Sequence, residues 1–242
     1  MKKLTLFLFA IFSINTYADE SLFKKANELY SKEGYNDAIL LYDSIILSGL
    51  ESSELYYNLG NCYYKTSDWA NSIWHYEKSL KLKKSVNTLQ NLQLVQLKIV
   101  DRIEPLPKLF YKKWWFNLLS LFSTRTWQML SIIIICFVFL IKTINQFANI
   151  KKDNLSHFLT AIAITLFFIS TNSYHNNYSK KEAIIFSSSV VVNSAPTNNS
   201  TNLFSLHSGS KVEITDVIGE WVKIKIVNGN SGWIKESDCK VL

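Results

Sequence analysis

The stretch Tyr56-Tyr57-Asn58-Leu59-Gly60-Asn61-Cys62-Tyr63-Tyr64 decides how this chain is read, because a degenerate copy lies 34 residues upstream. The same shift carries Ala38-Ile39 onto Ser72-Ile73, Tyr42 onto Tyr76, Tyr35 onto Trp69, Leu22 onto Tyr56, Ala26 onto Gly60 and Asn27 onto Asn61. Apolar positions at helical spacing with that period predict two antiparallel helices per unit, in 19–52 and again in 53–84. Gly60, Ala26, Ser72 and Ala38 are small where such helices cross closely, and Tyr63, Tyr76 and Leu80 fill the space between successive helices.

The second copy closely resembles the tetratricopeptide repeat. Its helix A opens on the quoted stretch, and Ser72, Tyr76 and Ser79 supply the small–aromatic–small positions of helix B. Lys25 stands where the first copy would carry its leucine and Lys84 replaces the usual terminal proline, so the first repeat is degenerate. Two repeats need neighbours to cover their end faces. Leu89, Leu92, Val95, Ile99 and Ile103 step by three and four, predicting a capping helix over 85–104 that Pro105-Leu106-Pro107 ends.

Of 242 residues 48% are hydrophobic and 19% charged, below the usual quarter, and the formal net charge is +7. Long apolar periodic segments exclude wholesale disorder. The basic surplus is not spread evenly. Residues 19–104 carry −2 and 181–242 carry 0, while 105–180 carry +7, which is also the most apolar part of the chain. No domain is left to attract nucleic acid, and anionic membrane lipids account for the middle charges.

Residues 1–18 read as a secretory signal peptide, with Lys2 and Lys3, an apolar Leu4–Ile14 and Thr16-Tyr17-Ala18 before Asp19. The alternative is an uncleaved anchor, and either way the chain beyond Ala18 is expected to be exported. Lys112-Lys113-Trp114-Trp115-Phe116 forms an interfacial anchor within the linker 105–125. Thr126–Ile144 and Leu155–Ser173 each suffice for a transmembrane helix, joined by a loop, 145–154, expected to be cytoplasmic. A buried hairpin of a soluble domain is the competing reading, opposed by the all-round apolar Ile132–Ile141 run. Lysines and arginines flank both ends, so positive charge does not set the orientation. The leader does, returning the C-terminus to the outer side of the inner (cytoplasmic) membrane.

Residues 181–242 switch to strand character, with Val190-Val191-Val192, Lys211–Val217 and Trp221–Ile226 between turn residues. Alternation puts Val222, Ile224 and Ile226 on one face and Trp221, Lys223 and Lys225 on the other. Asn228-Gly229 suits a hairpin turn. The glycine-led runs from Gly209, Gly219 and Gly229 resemble the bacterial SH3 domain. Trp221 and Trp233 are its conspicuous aromatics, candidates for ligand contact or for core. The fold class expected is therefore a helical solenoid, a two-helix transmembrane hairpin and a small SH3-like β-barrel.

The sequence holds no nucleophile elbow, His-Glu-x-x-His, phosphate-cradling glycine loop or zinc-spaced cysteine pair, so neither catalysis, metal nor cofactor is expected. His75, His157, His175 and His207 fall in four different settings. Cys62 sits where packing is its expected job, Cys136 lies in a span and Cys239 near the C-terminus, so a Cys62–Cys239 disulfide competes with burial of Cys62. By resemblance to the repeat family, Phe23, Asn27 and Tyr30, with Tyr57, Asn61, Tyr64 and Lys65, face a partner-binding groove. The other reading of both asparagines is repeat consensus.

Taken in order, the signal peptide, repeats with cap, Pro-x-Pro junction, two spans and SH3-like domain resemble the tetratricopeptide member of the bacterial aerotolerance (Bat-type) operons. That resemblance implies a scaffold assembling with von Willebrand A-type membrane proteins in stress tolerance, with no enzymatic step. Peptidoglycan is the alternative partner, through the SH3-like domain.

Overall fold

Three helices of the N-terminal half begin where a polar side chain satisfies a first-turn N–H group. Ser52 Oγ accepts from Leu55 N–H at 3.0 Å, Asp68 Oδ1 from Asn71 N–H at 3.1 Å and Ser85 Oγ from Thr88 N–H at 3.4 Å. These caps start α3 (Ser53–Lys65), α4 (Trp69–Leu82) and α5 (Val86–Gln96), which follow α1 (20–31) and α2 (Tyr35–Leu47). The computed structural model describes residues 20–107, 109–147, 154–178 and 180–242, so the expected leader lies outside the described residues, as does most of the expected loop.

The repeat extends to the backbone. Glu33 and Ser67, 34 residues apart, both adopt φ +62°, and each is followed by a residue whose N–H reaches back to a carbonyl: Gly34 to Leu29 and Asp68 to Tyr63, both at 2.9 Å. One turn geometry thus links helix A to helix B in each copy, though the residue types differ. Between α3 and α4 the close crossing depends on Gly60. A Cβ there would lie 2.5 Å from the Tyr76 ring, and Ser72 donates its hydroxyl to the Gly60 carbonyl at 2.8 Å.

The C-terminal strands β1 (Lys181–Ile185), β2 (Ser189–Asn193), β3 (Asn202–His207), β4 (Lys211–Ile218), β5 (Trp221–Lys225), β6 (Ser231–Lys235) and β7 (Cys239–Val241) form an antiparallel sheet ordered β3-β2-β6-β5-β4-β1-β7. Val222, Ile224 and Ile226 face its core, with Val190, Val192, Leu206, Val212 and Ile234. The β5–β6 turn closes with Gly229 N–H on the Ile226 carbonyl, Gly229 itself at φ +94°. This is the glycine position that a three-residue hairpin requires.

Helices and sheet share one compact unit, 20–104 with 182–242; the described residues of 105–181 form the other. Strand β1 is buried on both faces: Ala183 and Ile185 point into the sheet's core while Ile184 packs among Tyr56, Ile73, Trp74 and Tyr76. Trp74 Nε1–H donates to the Val241 carbonyl at 3.0 Å. Lys211 spans the seam, 2.9 Å from Glu77 and 3.1 Å from Glu182. Burial pulls its ammonium down, but the two carboxylates outweigh it and its pKa is raised.

One expectation is corrected. The capping helix stops at Gln96 instead of running to 104. Beyond it the chain extends into the seam, where Ile99 meets the helical core, Ile103 meets the sheet core and Gly209 passes so close to Ile99 that a Cβ would sit 2.5 Å from it. Of the expected stripe, Leu89 is exposed and Leu92 and Val95 are buried on the helix, while Ile99 and Ile103 pack inward from non-helical backbone, on the helical core and the sheet core respectively.

In the second unit, α6 (Phe110–Ser120), α7 (Thr124–Phe147) and α8 (Asn154–Tyr178) meet around Leu119, Trp127 and Ile169. Trp127 Nε1–H donates to the Leu119 carbonyl at 3.1 Å, and the Thr124 and Ser173 hydroxyls pair at 2.9 Å. Helices α7 and α8 are long and apolar enough to cross a membrane. Ile132, Phe137 and Phe139 face outward on α7, so these helices are not the buried core of this unit.

Candidate functional site

Asn27 and Asn61, 34 residues apart, occupy equivalent places in a hydrogen-bonded ladder. Asn27 Oδ1 accepts from the Tyr42 hydroxyl at 2.5 Å and from Asn58 Nδ2 at 2.9 Å. One repeat on, Asn61 Oδ1 accepts from the Tyr76 hydroxyl at 2.7 Å and from Asn91 Nδ2 at 2.9 Å. Each rung therefore joins helix A, its own helix B and the next helix A, and α5 takes the part of a third helix A. Both lone pairs of each carboxamide oxygen are used, so these side chains hold the stack together. The amide nitrogens Nδ2 of Asn27 and Asn61 have no partner among the described residues.

A cavity of about 170 Å³ opens on the second rung, lined by Tyr30, Asn61, Tyr64, Lys65, Asn91 and Leu94 among others. Tyr30 and Tyr64 are themselves 34 residues apart, and each ring is braced edge-on, by Tyr35 at 5.4 Å and Trp69 at 5.6 Å. Burial raises the Tyr30 phenol pKa. Its wall presents hydroxyl, amide and ammonium donors and no carboxylate.

Of the nine residues expected to bind a partner, Tyr30, Asn61, Tyr64 and Lys65 share this cavity. Asn27 stands one rung away. Phe23 instead packs on Tyr42 at 5.7 Å, and Tyr57 lies against Tyr76 at 6.0 Å while accepting from Asn91 at 3.2 Å. On the sheet, Trp221 and Trp233 are only 8% and 7% exposed, with Lys235 and Lys223 each 5.9 Å from the ring they cover. Both are buried, in keeping with the core role that was one of the two expected for them. Asn91 and Leu94 were missed: the 34-residue shift places Asn91 on Tyr57, so the period does not announce an amide there.

The thiols are free. Cys62 is fully buried, and burial together with the nearby Asp43 charge pushes it up to about 12. Its place is in the packing between α1, α2 and α3.

Residues 188–239 match the family model described as Bacterial SH3 domain. No curated protein matches the chain. Among solved structures, one similar chain is the TPR2AB-domain:pHSP90-complex of yeast Sti1, at 15% identity and a TM-score of 0.31, covering 66% of this chain. This chain spans 65% of that one's length. Helical repeats and SH3 domains are kinds of domain that carry no catalysis of their own.

Proposed function

We propose that the chain is a non-enzymatic, membrane-anchored adaptor of the cell envelope, holding a partner protein in the groove of its helical repeats. The observation that carries this reading is the cavity between Tyr30, Tyr64 and Lys65. Its rings are held rigid by neighbours, so little side-chain entropy is lost when a segment of another protein settles on them. The finer reading is a scaffold of a Bat-type aerotolerance complex, supported by the order of the modules. Its partners there would be von Willebrand A-type membrane proteins.

Connectivity supports the placement. Residues 104 and 182 belong to one compact unit, so the intervening segment must leave and return on the same side of any membrane it enters. An even number of spans satisfies this, and α7 with α8 supplies two. With an exported leader, repeats and sheet both lie outside the inner membrane.

A second reading, cell-wall binding through residues 181–242, is favoured by the Bacterial SH3 domain match. Crosslinked co-purification from membranes separates the two. Because Asn61 belongs to the ladder, the informative variant is Tyr64→Ala with Lys65→Ala, which empties the groove wall and leaves the rungs intact. Partner recovery is expected to fall about tenfold or more. Unchanged recovery of the partner would contradict the groove assignment.

A further inference from the structure

The seam between helices and sheet holds a second opening. It is a cleft of about 560 Å³ between the α3–α4 turn, the residues after α5, the β1–β2 loop and the end of β3. That lies within the roughly 300–1,000 Å³ typical of small-molecule sites.

At its edge Asp101 fixes His207. One carboxylate oxygen is 2.8 Å from the ring Nδ1, and the other accepts the His207 backbone N–H at 2.6 Å and the Ser210 hydroxyl at 2.5 Å. Burial pushes the Asp101 carboxyl up, but the bonds from Ser210 and His207 outweigh it and hold it below its ordinary range. An ionised carboxylate accepts only, so Nδ1 carries the proton and Nε2 is left as the working nitrogen. Nε2 has no partner among the described residues, and the ring lines the cleft.

The other wall groups share this openness. Ser67, Ser188 and Ser208 line the cleft, and none of their hydroxyls has a hydrogen-bond partner among the described residues. A hydroxyl both donates and accepts, so such a wall suits a ligand whose groups do the same. Beside them run Trp69 and Val100, an apolar strip. Of the charged side chains lining the cleft, Asp68 and Lys98 offset one another. Asp68 is already spent on Asn71, at 3.1 and 2.7 Å.

We propose that this seam cleft is a saccharide-binding site, in which His207 Nε2 and the serine hydroxyls take sugar hydroxyls while the C–H face of a sugar ring lies along Trp69 and Val100. Hydroxyls that donate and accept on one edge and an apolar face on the other are the features of a sugar ring. The site is separate from the repeat groove and stands whether or not the groove binds a protein.

Titrating the full chain in detergent with chitotriose and with maltotriose, followed by tryptophan fluorescence and by calorimetry, tests this. At least one trisaccharide is expected to bind with a Kd below about 1 mM. Ser188→Leu, which fills the cleft from an exposed loop, should weaken it at least tenfold at unchanged melting temperature, and Ser208→Leu serves as the second blocking variant. Inorganic phosphate and acetate should not compete. Absence of binding by both sugars, binding that both leucine variants leave intact, or equal competition by phosphate would each overturn the assignment.

Discussion

Replacing Gly60 by alanine is expected to destabilise the protein by about 2 kcal/mol, although alanine is the better helix former by about 1 kcal/mol. The clash decides the sign. The new Cβ would sit 2.5 Å from two carbons of the Tyr76 ring. That ring cannot yield. Its hydroxyl is tied to Asn61 at 2.7 Å, it is almost fully buried, and Tyr57 lies against it. The corresponding drop in melting temperature is about 4–8 °C for a unit of this size. Pairing Gly60→Ala with Tyr76→Leu should recover part of the loss, because the two positions are in contact and their effects do not add. A stabilised or unchanged single variant would show that α3 and α4 do not cross at Gly60.

Acid is expected to unfold the helical half through His75, which is 4% exposed among the Tyr56, Tyr63 and Trp74 rings, with its Nδ1 unpartnered. Burial, with the Lys240 and Lys78 charges, lowers its pKa to about 3. The folded value lies below the ordinary 6.5, so the unfolded chain takes up the proton first. Stability attributable to this group is complete above pH 6.5 and is lost by about 1.4 kcal/mol per unit as pH falls from there toward 3. His75→Phe keeps the aromatic packing and removes the proton site. The variant's melting temperature should therefore fall less than the wild type's between pH 6.5 and 4.5. Parallel curves for the two proteins would remove His75 as the cause.

Periodicity made part of the fold legible in the sequence. The 34-residue shift located the helical pairs and the small residues at their crossing, because helix packing imposes those choices locally. Alternation found the core face of β5 for the same reason. The union of helices and sheet was not legible. Ile184 looks like any strand residue, and Trp74, Glu77 and Asp101 look like ordinary helix or loop positions. Their partners, Val241, Lys211, His207 and Ser210, lie more than a hundred residues away, and no local pattern announces such pairing. The same limit explains the overlong capping helix, since Ile99 and Ile103 keep the helical spacing while answering to the sheet.

Repeats and sheet are proposed to form one exported unit hung on a hairpin of two membrane helices. The most direct test of this is sidedness. Lys32→Cys on the repeats and Lys225→Cys on the sheet each add one thiol at an exposed position to a chain whose own thiols are the fully buried Cys62, the half-buried Cys239 and Cys136 on α7. A membrane-impermeant maleimide applied to intact spheroplasts is predicted to label both variants above the wild-type background and equally before and after lysis. Labelling of either one only after lysis would contradict the account.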